Sequence, residues 1–398
     1  MDLSFSPAEE HFRAELRRWL EKHPPPQLPA DLPLAEEVER LKVWQQELHR
    51  GGWVGVHWPR EYGGRGASLV ENYILQEELA RARAPELIGR IGVNLVGPTL
   101  IAYGSELQKQ RFLAAILSAK EIWCQLFSEP QAGSDLASLR CRAEPCSGGF
   151  AITGEKVWTS YAQFADWGIL LARTERGPRK TEAISCFLVD MKSAGVTVRP
   201  LRQMTGAEEF NQVFLEKVFV PAEQLVGRPG EGWRIAQTTL AHERGTSPRQ
   251  FVIHRILLRE LIAEARKRQK EGHPAFRHPL LRQRLAQSCI ELQLFRLHNW
   301  RTLTLLQRGQ PQGERSSVVK LFWSEMSQRL HDTAMELLGP DAQLVVGEGR
   351  APAGGRWARS YLYYRAATIF AGTSEIQRNI LATRALGLPR GPRPADGG

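Results

Sequence analysis

The spacing of apolar residues changes period twice along this chain, which limits the fold to helices, then strands, then helices. Over residues 1–120, Phe12, Leu16, Trp19 and Leu20 recur at helical spacing. A Pro-rich break at 23–33 follows, then a second helix through Leu41 and Leu48. The segment GWVGVHWPREYGGRG (52–66) holds too much Gly and Pro for regular structure and reads as a packed loop. Over residues 121–228 the short runs 183–189, 196–198 and 213–220 are rich in Val and Phe. Gly, Pro and charge clusters separate them, so they predict strands of a small β domain. Helical spacing returns over 229–390, where Leu258, Leu261, Ile262 and Ala265 fall at i, i+3, i+4 and i+7. The next helix carries one stripe of Ala286, Ile290, Leu294 and Leu297 and another of Leu285, Cys289, Leu292 and Phe295. Apolar character that far round a helix fits burial in a bundle or at a subunit interface. The expected fold class is α+β, mostly α: an N-terminal α-helical domain (1–120), a middle small β domain (121–228) and a C-terminal four-helix bundle domain (229–390).

With 398 residues, 42% of them hydrophobic and 24% charged, the chain has the composition of a globular protein with a sizeable core. No stretch approaches the roughly 20 apolar residues of a membrane-spanning helix, so no membrane insertion is expected. The N-terminus lacks the basic start and apolar run of a secretory signal, which points to a cytoplasmic protein. Cys124, Cys141, Cys146, Cys186 and Cys289 are odd in number and contain no CxxC pair, so neither disulfides nor a metal site is expected. The net charge of +10 would suit nucleic acid or the phosphates of an anionic substrate. The positives are interspersed with acids rather than blocked, the pattern of solvated, arginine-bearing helix faces, and no nucleic-acid partner is expected.

Three separated segments carry chemistry: CQLFSEPQAGSDLAS (124–138), GEKVWTS (154–160) and IFAGTSEIQRNILA (369–382). Singly they read as a turn, a core aromatic and a helix N-cap. Together, in this order and on this plan, they resemble the acyl-CoA dehydrogenase family over essentially the whole chain. FSPAEEHFRAELRRWL, GWVGVHWPREYGG and the terminal ALGLPR extend the likeness. The resemblance implies an FAD-dependent enzyme whose flavin and thioester lie between the β domain and the bundle. A flavin held without a covalent link needs hydrogen bonds to its edge and a flat apolar wall behind its ring. By resemblance Gln125, Phe127 and Ser128 line the ring edge, with Gly133 beside them. Ser134 sits by the pyrophosphate and the substrate, and Trp158, Thr159 and Ser160 supply the wall and a hydroxyl. Gly372, Thr373 and Glu375 would meet the cofactor from the bundle, the glycine permitting close backbone approach. At the adenine side Arg268 matches the family, whereas Glu271 replaces an aromatic and Pro279 a glutamine. The family's Gln-x-x-Gly-Gly turn reads Glu336-Leu337-Leu338-Gly339-Pro340, retaining Gly339.

The family reaction removes a Cα proton with a carboxylate while hydride leaves Cβ. A thioester α-proton is a very weak acid, so the site needs a desolvated, more basic Glu and fixed donors to the enolate oxygen. Many members place that Glu immediately before the Gly-Thr of the third segment, where this chain has Ala371. The isovaleryl- and long-chain-type enzymes instead use a Glu immediately before an Arg, early in the first bundle helix. Glu243-Arg244 stands at the matching distance from Gly232, which makes Glu243 the expected base, with Arg244 and Ala371 beside the substrate. The backbone amide of residue 371 would still serve the thioester oxygen.

The resemblance further implies an acyl-CoA substrate, electron transfer to an electron-transferring flavoprotein, and a homo- or hetero-oligomer arranged as a dimer of dimers. Alternatives on the same scaffold are a flavin oxidase or monooxygenase and a catalytically silent subunit of a mixed tetramer. Pro248, shortly after the expected base, lacks the amide that would bond to the carbonyl of residue 244. The helix should kink or begin anew there. A kink would widen the acyl pocket for a branched, cyclic or otherwise bulky group, whereas Pro248 in the first turn of a later helix would leave it unchanged.

Overall fold

The computed structural model describes residues 4–174, 179–243, 247–270, 272–310 and 313–389. They form two compact units, Ser6–Glu243 and a second of Arg244–Gly398 together with Met1–Phe5.

The first unit opens with α1 (Pro7–Lys22), α2 (Leu34–Arg50), α3 (Leu69–Arg81), α4 (Gly97–Tyr103) and α5 (Glu106–Leu117). Local sequence sets their starts. Ser6, Ser68 and Ser105 each cap a helix: the hydroxyl accepts from the amide of Glu9, Glu71 or Gln108 three residues on, whose side chain in turn accepts from the serine's own amide. In α1, Phe12, Leu16 and Leu20 are buried at four-residue spacing. The segment at 52–66 is the packed loop expected. Trp53, Val54, Val56 and Trp58 are all buried, and the Trp58 indole donates to the Val93 carbonyl at 3.1 Å. A Cβ at Gly97 would lie 1.9 Å from the Trp58 ring, so this loop docks only because position 97 has no side chain.

The strands of this unit are β1 (Trp123–Leu126), β2 (Arg142–Cys146), β3 (Gly149–Ser160), β4 (Trp167–Arg173), β5 (Ile184–Asp190), β6 (Val196–Leu201), β7 (Phe210–Pro221) and β8 (Leu225–Val226). They form one sheet in the order β6-β7-β3-β2-β4-β5-β8, with β1 paired in parallel to β4. The expected runs at 183–189, 196–198 and 213–220 fall in β5, β6 and β7. The core of the sheet gathers Ile152, Leu170, Phe187 and Val213. Trp123 of β1 stacks on Trp167 at 5.8 Å, and Phe112 of α5 meets Trp123 edge-on, fixing β1 to the helices. Helix α6 (Gly232–Glu243) closes the unit. Its Ile235 and Ala236 are buried, and the Thr239 hydroxyl bonds to Thr99 of α4 at 2.8 Å.

The second unit is helical: α7 (Pro248–Lys267), α8 (Pro279–Gln307), α9 (Arg315–Leu338), α10 (Arg356–Arg365) and α11 (Ser374–Ile380). Of the two stripes read on α8, Leu285, Leu292 and Phe295 are buried, whereas Ile290, Leu294 and Leu297 are exposed. The core holds a chain of polar groups. His254 Nδ1 faces the Gln250 carbonyl at 2.7 Å and Nε2 faces the Ser327 hydroxyl at 2.5 Å. His331 Nδ1 faces the Ser327 carbonyl at 2.7 Å and Nε2 the Ser360 hydroxyl at 2.9 Å. A carbonyl only accepts, so both rings carry hydrogen on Nδ1, and their burial disfavours a second proton on Nε2. Burial pushes the His254 imidazole down to about 4 and that of His331 to about 3. Tyr364 stacks on His331 at 4.6 Å.

Of the two outcomes left open at Pro248, the structure shows the second: it is the first residue of α7, where a missing amide costs nothing. Glu243, expected early in the first bundle helix, is the last described residue of α6, and a new helix begins at Pro248. Arg244, Glu271 and the Gly245-Thr246 pair lie outside the described residues. No described helix is long and apolar enough to cross a membrane. Among the described residues no cluster of His, Cys, Asp or Glu could hold a metal ion. All five cysteines are free; burial pushes the Cys124 and Cys186 thiols up, leaving them inert.

Candidate active site

In the first unit the structure brings two of the three segments together. Gln125 lies on β1, and the chain leaves that strand through buried Phe127 and half-buried Ser128. The Ser128 carbonyl accepts from the Val157 amide at 2.9 Å, which ties this segment to β3 beside Trp158. Gly133 and Ser134 sit in the exposed loop that follows.

Trp158 is presented by the backbone. Between the pairs Lys156–Val213 and Thr159–Asn211, β3 holds two residues where β7 holds one, a β-bulge. Trp158 occupies that bulge with φ +59°, a left-handed conformation that non-glycine residues rarely adopt. Its side chain is 61% exposed, although tryptophan ordinarily sits largely buried. The next residue, Thr159, is buried and its hydroxyl has no partner. Its carbonyl accepts from Asn211 Nδ2 at 3.0 Å. Ser160 ends the strand, paired with Phe210. A flat aromatic face held outward beside an unsatisfied buried hydroxyl fits a planar polar ring such as a flavin.

Beneath these residues lies a buried ion pair. Lys156 Nζ donates to Glu129 Oε1 at 2.8 Å and to the Phe127 carbonyl at 3.1 Å, and the two charged side chains are 0% and 2% exposed. Glu129 also accepts from the amides of Arg140 (2.6 Å) and Cys141 (2.9 Å). Burial opposes ionisation of Glu129, yet the Lys156 ammonium and these amides hold its carboxyl below the usual carboxylate range. The sequence reading gave neither residue a structural role. The signal was available: Lys156 shares the inward parity of Ile152 on β3, and an inward lysine requires a partner.

In the second unit the third segment is a strained turn. Ala371 (φ +53°) and Gly372 (φ +88°) are both left-handed. The φ of Gly372 favours glycine, and a Cβ there would also displace Gln377 Nε2, 2.5 Å away. Buried Gln377 donates to the Ala371 carbonyl at 3.0 Å, and Lys320 Nζ donates to the Gly372 carbonyl at 2.7 Å. Thr373 caps α11 through the Ile376 amide at 3.2 Å, and the buried Ser374 hydroxyl has no partner. Glu375 is exposed; its own backbone amide and the Thr373 hydroxyl hold its carboxyl low. Neither Gln377 nor Lys320 was singled out from sequence, since both bond to backbone, which no spacing reveals.

Arg268 and Gly339, distant in sequence, are brought together. Arg268 follows α7 and donates to the Leu338 carbonyl at 3.1 Å, beside left-handed Gly339. Glu336, where the family has glutamine, is paired with Arg284 and with Lys270 at 3.5 Å. Glu243 closes α6, away in sequence from these clusters.

Comparison with known proteins is consistent along the chain. Residues 6–120 match the acyl-CoA dehydrogenase N-terminal domain, 124–218 its middle domain and 230–386 its C-terminal domain. The acyl-CoA dehydrogenase IpdE1 of Mycolicibacterium smegmatis is 40% identical over 397 residues, covering 96% of this chain and 98% of that protein. Among solved structures, one described as the Tcur3481-Tcur3483 steroid ACAD is 31% identical with a TM-score of 0.85, covering 98% and 100% of the two chains. The ChsE4-ChsE5 complex from Mycobacterium tuberculosis is 30% identical with a TM-score of 0.85 and the same coverage.

Proposed function

The chain belongs to the acyl-CoA dehydrogenase family, of FAD-dependent oxidoreductases, and on that premise we propose that it converts an acyl-CoA thioester to the trans-2-enoyl-CoA with Glu243 as base. The observation that carries the reading is Trp158, held outward on a left-handed bulge beside the partnerless Thr159 hydroxyl. Together with Gln125, Phe127, Ser128, Gly133, Ser134 and Ser160, these residues of the first unit would hold the flavin. By resemblance to the family, Gly372, Thr373, Glu375, Arg268 and Gly339 would also contact FAD. When bound, FAD supplies the acceptor for the hydride that leaves Cβ.

The chain's own task is to take the α-proton and steady the oxygen. Glu243 receives the proton. The amide of Ala371, on a turn fixed by Gln377 and Lys320, donates to the thioester oxygen. Ser134 and Arg244 contact the substrate. Electrons leave to an electron-transferring flavoprotein. The likeness to a solved steroid acyl-CoA dehydrogenase supports a ring-bearing acyl group. The likeness to the ChsE4-ChsE5 complex, and the exposed Ile290, Leu294 and Leu297, support an oligomer, a dimer of dimers of one or two kinds of chain. Ala371 also favours a second reading, a silent subunit of a mixed tetramer.

An anaerobic titration with acyl-CoA thioesters, followed at the visible flavin band, tests both. Glu243→Gln is expected to retain flavin and lose bleaching by more than the roughly 10²–10⁴-fold of general-base catalysis. Bleaching at the wild-type rate in that variant would refute the base. A wild-type protein that holds flavin in its assembly yet is bleached by no thioester would establish the silent subunit.

A further inference from the structure

We propose that the buried Glu129–Lys156 ion pair is a positioning device for the flavin. It locks the segment 125–128 to the bulge at 157–159, so that breaking it loosens the cofactor beyond any loss of stability. The proposal rests on the reading that these two segments hold FAD.

The geometry is that of a rivet between two pieces of chain. From inside the sheet the Lys156 ammonium reaches the Phe127 carbonyl and the Glu129 carboxylate at once. Glu129 in turn gathers the amides of Arg140 and Cys141, which closes the loop from 129 to 141 upon its own start. Lys156 is also the last regularly paired residue of β3 before the bulge, facing Val213. The same side chain therefore fixes where the bulge begins and where Phe127 and Ser128 end. Both Ser128 and Trp158 inherit their places from it through the Val157–Ser128 backbone bond.

A buried ion pair is a weak device for stability alone. Apolar replacements of similar volume are often neutral or better, whereas removal of one partner strands a charge. Retaining two buried charges under a site points instead to precision of placement, the general need of a binding constellation supported from beneath.

The test compares Lys156→Met, Glu129→Gln, the double variant Lys156→Met/Glu129→Leu, and Trp158→Ala as a reference. For each apoprotein the Tm is measured. FAD Kd and the shape of the visible flavin band are then measured at least 15 °C below that variant's Tm. The single variants are expected to lose Tm and to raise Kd at least tenfold. The double variant is expected to regain much of the Tm while Kd stays at least tenfold high and the band stays blurred. Kd and band within twofold of wild type in the folded double variant would overturn the proposal. So would a Kd that recovers in step with Tm. If Lys156→Met does not fold, Glu129→Gln and the double variant carry the same comparison. Trp158→Ala separates the two levels: if it leaves Kd and band unchanged, the assignment of these segments to the flavin fails. If it alters them while the double variant does not, only the ion-pair role fails.

Discussion

The paired histidines inside the helical unit make its stability sensitive to mild acid, and the size of the effect follows from their burial. In the folded chain His254 and His331 are fully buried and neutral, with values pushed down to about 4 and about 3. Unfolded, each returns to about 6.5. A depressed histidine contributes stability that is complete above the unfolded value and is lost as pH falls from 6.5 toward the folded value. At pH 5 the unfolded chain gains protons that the folded one refuses. The unfolded state then gains about 2 kcal/mol per histidine relative to pH 7.5, since 1.5 pH units at 1.36 kcal/mol each separate 6.5 from 5. That figure holds as long as both folded values lie well below 5. For a unit of this size it corresponds to a fall in Tm of about 4–8 °C for each ring. The assay is thermal unfolding of wild type and His331→Gln, followed by circular dichroism at pH 7.5 and pH 5. Glutamine can accept from Ser360 as Nε2 does and does not titrate. The variant should begin less stable at pH 7.5, yet lose about 2 kcal/mol less on acidification. An equal loss in both proteins would show that His331 is not the group that resists protonation.

Three further outcomes are expected. Adding Ala371→Glu to Glu243→Gln should restore part of the bleaching by substrate, because the left-handed position beside Gly372 then offers a carboxylate; no recovery in the folded double variant would count against position 371 facing the substrate. Gly97→Ala should destabilise by about 1–3 kcal/mol, read as a lower Tm, since its Cβ would meet the buried Trp58 ring at 1.9 Å. A ring-bearing acyl substrate, which the likeness to the solved steroid acyl-CoA dehydrogenase supports, predicts higher kcat/KM for ring-bearing thioesters than for octanoyl-CoA, and a preference for the straight chain would exclude it.

The plan of the fold was legible because each level of the sequence agreed with the others. Apolar residues at helical spacing, Phe12, Leu16 and Leu20, mark α1, and Val-rich runs bounded by turn residues mark β5, β6 and β7. The residues proposed to hold the flavin were legible only through resemblance; nothing in the spacing of GEKVWTS announces that Trp158 sits on a bulge. Bulges arise from the match between two strands, here β3 and β7, and neither strand's sequence records it alone. The supports were missed for a related reason. Lys320 and Gln377 serve carbonyl oxygens, and Lys156 serves a residue 27 positions away. The consequence of Pro248 was ambiguous, since proline ends one helix or begins another with equal ease, and here it begins α7.

The pairing of β3 with β7 also governs how the chain can change in length. Gly149 faces Pro221 and Ser160 faces Phe210 in one register, while only the block 154–156, facing 213–215, is displaced by a single residue. Two irregularities bracket that block: an extra residue on β7 near left-handed Lys217, and an extra residue on β3 at left-handed Trp158. Each cancels the other. A deletion of one residue in either strand would therefore propagate, turning every side chain beyond it to the opposite face of the sheet. Deleting Trp158 from β3 together with Lys217 from β7 would leave the flanks in place. Insertions and deletions in these two strands should accordingly be inherited as pairs, and a chain that had shed both would keep its fold while losing the wall against which a flavin could rest.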